Sequence, residues 1–379
     1  MKLLIALLAG GLFYLAQLYL YRYLWDRDLN IDIDFEKKLV REGDSNRLIE
    51  VISNDKLLLL PLIQVKFSLT RTFLFKNTDN SSVTDRYYRN DFFSLLSYRK
   101  ITRTYDFTCT RRGYYMMTDM DVICKDLLLT GMMLKSFPAD TSLLVLPSRL
   151  DTQEIPGEIS EFMGQVIDRI RKNEDPFEFA GIREYQPYDP MNRINWKASA
   201  SGMKMMVNRF DTTYNRRIVI FLNTECHIKW HEDVFIEESI RLAASLACAF
   251  ITDQVPVALY SNGCDAVTGA PVMIEEGADR AHLLCIETAL ARLDGSKQAG
   301  DFAGEIIKSL KDPRYERTEC IIISNYRKQD LVDAYRTIKD DGVRISWIIP
   351  EYGMVEPKLA SGGDRDIIKW TVGNAGWKI

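Results

Sequence analysis

Between residues 30 and 147 apolar side chains recur at every second position, and from residue 217 onward that rhythm is gone. Ile31, Ile33 and Phe35 alternate with Asp32, Asp34 and Glu36, and Ile63, Val65, Phe67 and Leu69 alternate with Gln64, Lys66 and Ser68. Ile101, Arg103, Tyr105, Phe107 and Cys109 follow the same rule. A period of two is the mark of half-buried strands, and several short ones in succession imply an antiparallel β-sandwich over residues 30–148. Arg111-Arg112-Gly113 reads as a turn into one more strand, and its two arginines suit either a solvated hairpin tip or a contact with the next domain. The polar run 77–85 reads as a surface loop.

From Arg217 the texture becomes α/β. RIVIFL (217–222) and ECIIIS (319–324) are continuous apolar runs, as expected of strands covered on both faces. Helical patterns at 233–251, 281–293, 302–310 and 328–342 separate these from further strands at 255–263 and 343–350. Ser361-Gly362-Gly363-Asp364 reads as a turn before a last strand. Strands alternating with helices imply a mostly parallel, doubly wound sheet over residues 215–379. A connector and helix with an apolar stripe through Ile159, Phe162, Met163, Val166, Ile167 and Ile170 begin the intervening segment, 150–212. A chain of 379 residues fits several cores better than one.

The first 25 residues form a separate element. Some twenty uncharged, mostly apolar residues follow Met1-Lys2, enough to cross a hydrocarbon layer of about 30 Å. The run ends in Tyr19-Leu20-Tyr21-Arg22 without a small-x-small cleavage site, which favours a retained transmembrane anchor over a signal peptide. Tyr21, Tyr23 and Trp25 suit an interfacial aromatic belt, and Arg22, Arg27, Lys37, Lys38 and Arg41 place the bulk of the chain on the cytoplasmic side of the cell membrane.

A net charge of −4 gives no reason to expect nucleic acid as a partner. The seven cysteines form no C-x-x-C pair, and several sit in apolar runs (ECIIIS, LACAF, LLCIE), where a free thiol behaves as a small buried hydrophobe. That usage favours a reducing compartment.

The stretch 175–209, DPFEFAGIREYQPYDPMNRINWKASASGMKMMVNR, has little apolar periodicity and interleaves aromatic with charged residues. Such residues build stacked contacts and multi-donor hydrogen bonds, so the segment reads as a junction between domains or with a partner. Its pattern GIREYxPxDPxxxINWKASA, followed by V-N-x-[FY], resembles the signature of the bacterial family catalogued as domain of unknown function number 58. The family has Gly where this chain has Tyr188, and Ala-Arg where it has Ala200-Ser201. The resemblance implies a membrane-anchored β-domain followed by a von Willebrand factor type A-like domain, with a MoxR-type AAA+ ATPase as partner. The signature residues are Arg183, Tyr185, Asp189, Arg193, Asn195, Trp196 and Lys197. Trp196 is expected to bury its ring, Arg183 and Arg193 to pair with Glu184, Asp189 or Asp211, and Tyr188 and Lys197 to face outward.

Chemistry is sought just beyond the first α/β strand, where open parallel sheets bind ligands. Metal-binding type A domains carry D-x-S-x-S there, a carboxylate and two hydroxyls suited to Mg²⁺. This chain has Asn223 at the Asp position, Glu225 at the first Ser and His227 at the second. The anionic anchor is gone, so a degenerate, metal-free site is expected. Cys226, His227 and His231 lack a second ligand pair for zinc, and there is no phosphate loop, dinucleotide fingerprint or arguable catalytic triad. The expectation is a scaffold or adaptor that is not an enzyme, needs no cofactor, and contacts the bilayer through its first helix and a protein partner through its signature. The alternatives are a metal-dependent enzyme using Asn223, Glu225 and His227, or an extracytoplasmic adhesion-type domain.

Overall fold

A computed structural model describes residues 2–77, 81–83, 86–150, 154–172, 179–186, 189, 191–202, 204–210, 217–226, 232–298, 300–311, 318–351 and 366–372. The chain divides into two compact units, Met1–Ser148 and Arg149–Ile379.

The first unit opens with helix α1 (Lys2–Leu24). Ten strands follow: β1 (Leu29–Phe35), β2 (Leu39–Arg41), β3 (Ser45–Asn54), β4 (Leu60–Leu69), β5 (Phe73–Phe75), β6 (Ser81–Val83), β7 (Tyr87–Leu95), β8 (Arg99–Cys109), β9 (Gly113–Lys125) and β10 (Met132–Leu146). They form a four-stranded sheet, β1-β3-β8-β5, and a six-stranded sheet, β2-β10-β9-β4-β7-β6. All pairings are antiparallel except β2 with β10. Ile33, Leu48 and Phe107 from one sheet meet Ile63, Val65 and Val122 from the other in a shared core, as the period of two requires. The segment read as a loop at 77–85 contains β6, which pairs with β7. The strand is only three residues, Ser81–Val83, and the polar residues around it in sequence disguised it. Arg112 is buried at 7% exposure, so the Arg-Arg-Gly turn is not the solvated tip that one reading made it.

α1 is long and apolar enough to cross a membrane, and every side chain from Lys2 to Ala16 is exposed. Its last turns belong to the sandwich. Tyr21 and Trp25, expected in an aromatic belt, are 2% and 4% exposed and join the sandwich core. Their spacing of four residues puts both on the helix face that meets the strand loops, whereas Tyr19 and Tyr23 lie on the open face with ring centroids 4.6 Å apart.

The second unit begins with helix α2 (Gly157–Lys172), whose stripe Ile159, Phe162, Met163, Val166, Ile167 and Ile170 packs into an apolar core. β11 (Phe179–Glu184), helix α3 (Trp196–Gly202) and β12 (Met206–Phe210) form a small hairpin with a sheet of its own. The main sheet contains β13 (Ile218–Leu222), β14 (Val257–Asp265), β15 (Pro271–Gly277), β16 (Leu293–Gln298), β17 (Glu319–Ile323), β18 (Arg344–Glu351) and β19 (Ile367–Thr371). Its order is β15-β14-β13-β17-β18-β19, with β16 also on β14. The core strands and β19 are parallel, while β15 and β16 run antiparallel at the β14 edge. Those two strands escaped the sequence reading because β15 is short and only half covered, and β16 is mostly polar with a glycine inside it.

Helices α4 (Glu232–Thr252) and α5 (Arg280–Arg292) share one face of the sheet with α2. Helices α6 (Phe302–Leu310) and α7 (Gln329–Asp340) cover the other. Along β13, Ile218, Ile220 and Leu222 point into the first layer, and Val219 and Phe221 into the second. That is why the strand reads as unbroken apolar sequence.

All seven cysteines are free. Cys109, Cys124, Cys264 and Cys320 are buried, but Cys285 is exposed although it follows Leu283-Leu284. The apolar run LLCIE turns over the surface of α5, so proximity in sequence did not confer burial.

Candidate functional site

The signature segment is held together by its own residues. The guanidinium of Arg183 donates from Nη1 and Nη2 to Oδ2 and Oδ1 of Asp189, at 2.7 and 2.6 Å. The paired, forked geometry gives both direction and strength. Asp189 is buried and also accepts the backbone N–H of Gln186 at 2.8 Å, so one carboxylate closes the turn that leaves β11. Tyr185, half-buried, is tied to the far side of the hairpin by its N–H, which donates to the Met205 carbonyl.

Asn195 caps α3: its Oδ1 accepts the N–H of Ala198 at 2.9 Å. Its amide donates to Oδ1 of Asn208 at 2.7 Å, joining the INWKAS and V-N-x-[FY] parts of the motif. Ser199 Oγ donates to the Asn195 carbonyl and accepts from the N–H of Met206. Ile194 and Val207 are buried and face each other in a β-bridge, yet belong to none of the three large cores.

This framework carries Trp196 on its outside. The ring is 68% exposed, against the expectation that it would be buried. As the first residue of α3, Trp196 points away from β12, and Asn195 and Ser199 occupy the inward positions. Lys197 is exposed beside it, as expected. Ile182, Met191 and Met205 are exposed on the same small element, at 43%, 71% and 41%. Arg193 forms part of a 3₁₀ turn, Met191–Arg193, but its side chain lies outside the described residues, as do Tyr188 and Asp211.

At the carboxyl edge of the main sheet the residues after β13 and β17 meet, and they are hydrogen-bonded to one another. Asn223 donates from Nδ2 to Ser324 Oγ at 3.1 Å. Its Oδ1 accepts both Asn262 Nδ2, at 2.8 Å, and the N–H of Glu225, at 2.9 Å. Asn262 Oδ1 in turn accepts the N–H and hydroxyl of Thr224. Asn223, Thr224, Asn262 and Ser324 are all buried. Asn262, which the sequence reading passed over, is bonded to both Asn223 and Thr224, and a polar amide inside a buried strand was the available signal.

Glu225 is partly buried next to this knot. Burial raises its carboxyl above the ordinary range, the charges of Asp330 and Asp301 add to that, and Lys328 opposes it. Tyr326 donates its hydroxyl to Asp330 at 3.1 Å, and its pKa is pushed up to about 12 by burial and by that bond. Among the described residues no three His, Cys, Asp or Glu side chains converge as a metal site. His227 and His231 lie outside the described residues.

A second polar assembly sits inside the sandwich. Tyr105 on β8 donates its hydroxyl to Glu50 Oε2 on β3 at 2.6 Å and also lies 2.9 Å from Asp91 Oδ2 on β7. Arg89 Nε donates to Asp91 at 2.6 Å, with its guanidinium 3.9 Å from the Tyr105 ring centroid. Arg103 reaches Asp91 from the opposite sheet at 3.3 Å. Arg89, Asp91, Arg103 and Tyr105 border a cavity of about 380 Å³. Glu50 is fully buried, and burial, opposed by the Tyr105 hydrogen bond, raises its pKa to about 7.

No protein-family model and no curated protein matches the chain. Among solved structures, it is similar to an ASH/PapD-like domain of human CEP192, with 16% identity over 31% of this chain and 85% of that one, at a TM-score of 0.21. A CARDB domain from Pyrococcus furiosus, described in complex with di-metal ions, shares 14% identity over 30% of this chain and 90% of its own, at 0.19. A non-cellulosomal cohesin from the archaeon Archaeoglobus fulgidus shares 12% identity over 31% and 91%, at 0.22. The chain is a β-sandwich unit behind an apolar N-terminal helix, joined to a unit built on a largely parallel sheet.

Proposed function

We propose that this protein is a membrane-anchored adaptor without enzymatic activity, and that its signature hairpin is the docking surface for a protein partner. The observation that carries this reading is the exposure of Trp196 on a hairpin whose polar signature residues satisfy one another. A tryptophan left in water beside a lysine, on a preorganised backbone, has the composition of a binding hot spot. Arg183, Asp189, Asn195 and Ser199 serve as the frame, and Trp196 and Lys197 as the contact.

The α/β unit is read here as von Willebrand factor type A-like, with the metal position of such domains replaced by the Asn223–Asn262–Ser324 knot. The partner proposed is the MoxR-type AAA+ ATPase implied by the family resemblance, with the bulk of the chain on the cytoplasmic side. The test is capture of the full-length protein in detergent by that ATPase. Trp196→Ala and Lys197→Ala are expected to reduce capture at least about tenfold and severalfold, the range for hot-spot and flanking residues. Equal capture of the wild type and Trp196→Ala would refute the docking surface.

A further inference from the structure

α1 is fixed to one end of the sandwich, and the depth of that attachment has a consequence for the bilayer. Gln17 Nε2 donates to Asp126 at 2.9 Å in the β9–β10 loop, and the Tyr21 hydroxyl donates to the Leu59 carbonyl at 2.8 Å in the β3–β4 loop. Leu18 packs so closely on Gly131 that a Cβ there would lie 2.9 Å from its side chain. Lys56 donates to the carbonyls of Trp25 and Arg27 beyond the end of the helix. The helix is therefore free of the sandwich only from Lys2 to Ala16.

Those fifteen residues span about 22 Å at about 1.5 Å each, short of the roughly 30 Å hydrocarbon core. The remaining depth falls on the turns that contain Gln17 and Tyr21, and the loops bonded to those turns share it. Their composition matches. Leu57 is 77% exposed, Leu96 61%, Tyr98 68%, Leu128 49% and Leu129 52%. They come from the β3–β4, β7–β8 and β9–β10 loops, and the first two loops are tied together because Asn54 donates to the carbonyls of both Leu58 and Leu96. Tyr98 and Leu129 hold positive φ angles of 54° and 60°, which bulky residues rarely adopt. Both are apolar-bodied residues kept at turn positions where Gly or Asn is ordinary.

We infer that this end of the sandwich is a lipid-contacting surface, with the three loops seated in the boundary between headgroups and acyl chains around α1. The inference rests on the reading of α1 as a membrane-spanning helix. The carboxylate of the β9–β10 loop is consumed internally: Asp126 accepts Gln17, the N–H of Thr130 and the Thr130 hydroxyl. Exposed Arg22, Arg27, Arg99 and Lys100 outnumber exposed Asp28 and Asp55 at the same end and favour an anionic leaflet.

The test uses the full chain in vesicles of phosphatidylcholine and phosphatidylglycerol containing a traceable phospholipid. Phe13, Tyr98, Leu128 and Tyr114 are replaced in turn by p-benzoylphenylalanine and photolysed. Phe13 marks the free helix, and Tyr114 lies at the opposite end of β9. Interfacial seating predicts phospholipid adducts at 98 and 128 within about threefold of those at 13, and at least about tenfold above 114. Adducts at 13 with none at 98 or 128 beyond the level at 114 overturn the inference and leave the anchor intact. Adducts from 98 and 128 to protein in place of lipid also overturn it. Absence of lipid adducts at 13 overturns the anchor reading and this inference together.

Discussion

Arg183 grips both oxygens of Asp189 across the turn that leaves β11, at 2.7 and 2.6 Å, with the Asp189 side chain 6% and the Arg183 side chain 41% exposed. Arg183→Lys keeps the charge but loses the fork. The hairpin is expected to open more readily, by about 1–2 kcal/mol, with little change in global melting. Hydrogen exchange at the amides of Gln186 and Asp189 is the measurement. Unchanged protection would mean that backbone pairing alone holds the turn.

Trp196→Ala is expected to leave stability within about 0.5 kcal/mol of wild type, as for other exposed positions. Val207→Ala, in the small core beneath, is expected to destabilise the hairpin by about 1–2 kcal/mol. Differential scanning fluorimetry and proteolysis of the hairpin separate the two. A large loss of stability in Trp196→Ala would mean that the ring is covered after all.

Glu50 gives the sandwich a pH dependence. Its folded-state pKa, about 7, lies above the ordinary 4.5, so the native state holds a proton that the unfolded chain releases between those values. The contribution is fully present below about pH 4.5 and is lost as pH rises through about 7; its size is at most about 3 kcal/mol. Glu50→Gln removes the ionisation and keeps an oxygen for Tyr105. Melting of the variant between pH 5 and 8 (about the range of the effect) should decline less than that of the wild type. Parallel pH profiles would place the proton elsewhere in the cluster.

Asn223→Asp tests the knot at the sheet edge. The carboxylate keeps the two bonds that Asn223 Oδ1 accepts but replaces the amide donor to Ser324, in a buried site next to Glu225. A loss of about 1–3 kcal/mol is expected in the absence of metal, from the desolvated charge and the missing donor. The wild type should show no change in melting on adding Mg²⁺ in place of chelator. Micromolar Mg²⁺ binding by the wild type, measured by calorimetry and abolished by Glu225→Ala, would revive a metal site.

Much of the architecture was legible because burial is periodic. Phe107 and Val65 sit where alternation places them, and RIVIFL is apolar throughout because β13 is covered on both faces. The Arg183–Asp189 pair was within reach for a similar reason: opposite charges six residues apart, flanking a proline-rich turn, have few other partners. β15 and β16 were missed because edge strands need only one apolar face, and their polar residues look like loop.

What sequence determined by itself was local: the period of each strand and helix, the apolar length of α1, and an amide in place of a charge at Asn223. Tertiary structure decided which faces those elements showed. It put Tyr21 and Trp25 in the core and Trp196 in water, reversing the expectation from side-chain type in both places. It also brought Glu50, Asp91 and Tyr105 from three strands into one cluster, and Asn262 onto Asn223 across 39 residues. Burial and hydrogen bonding at these positions depend on which distant strand or loop arrives to cover them, and that is set by the packing of whole sheets rather than by any local stretch of chain.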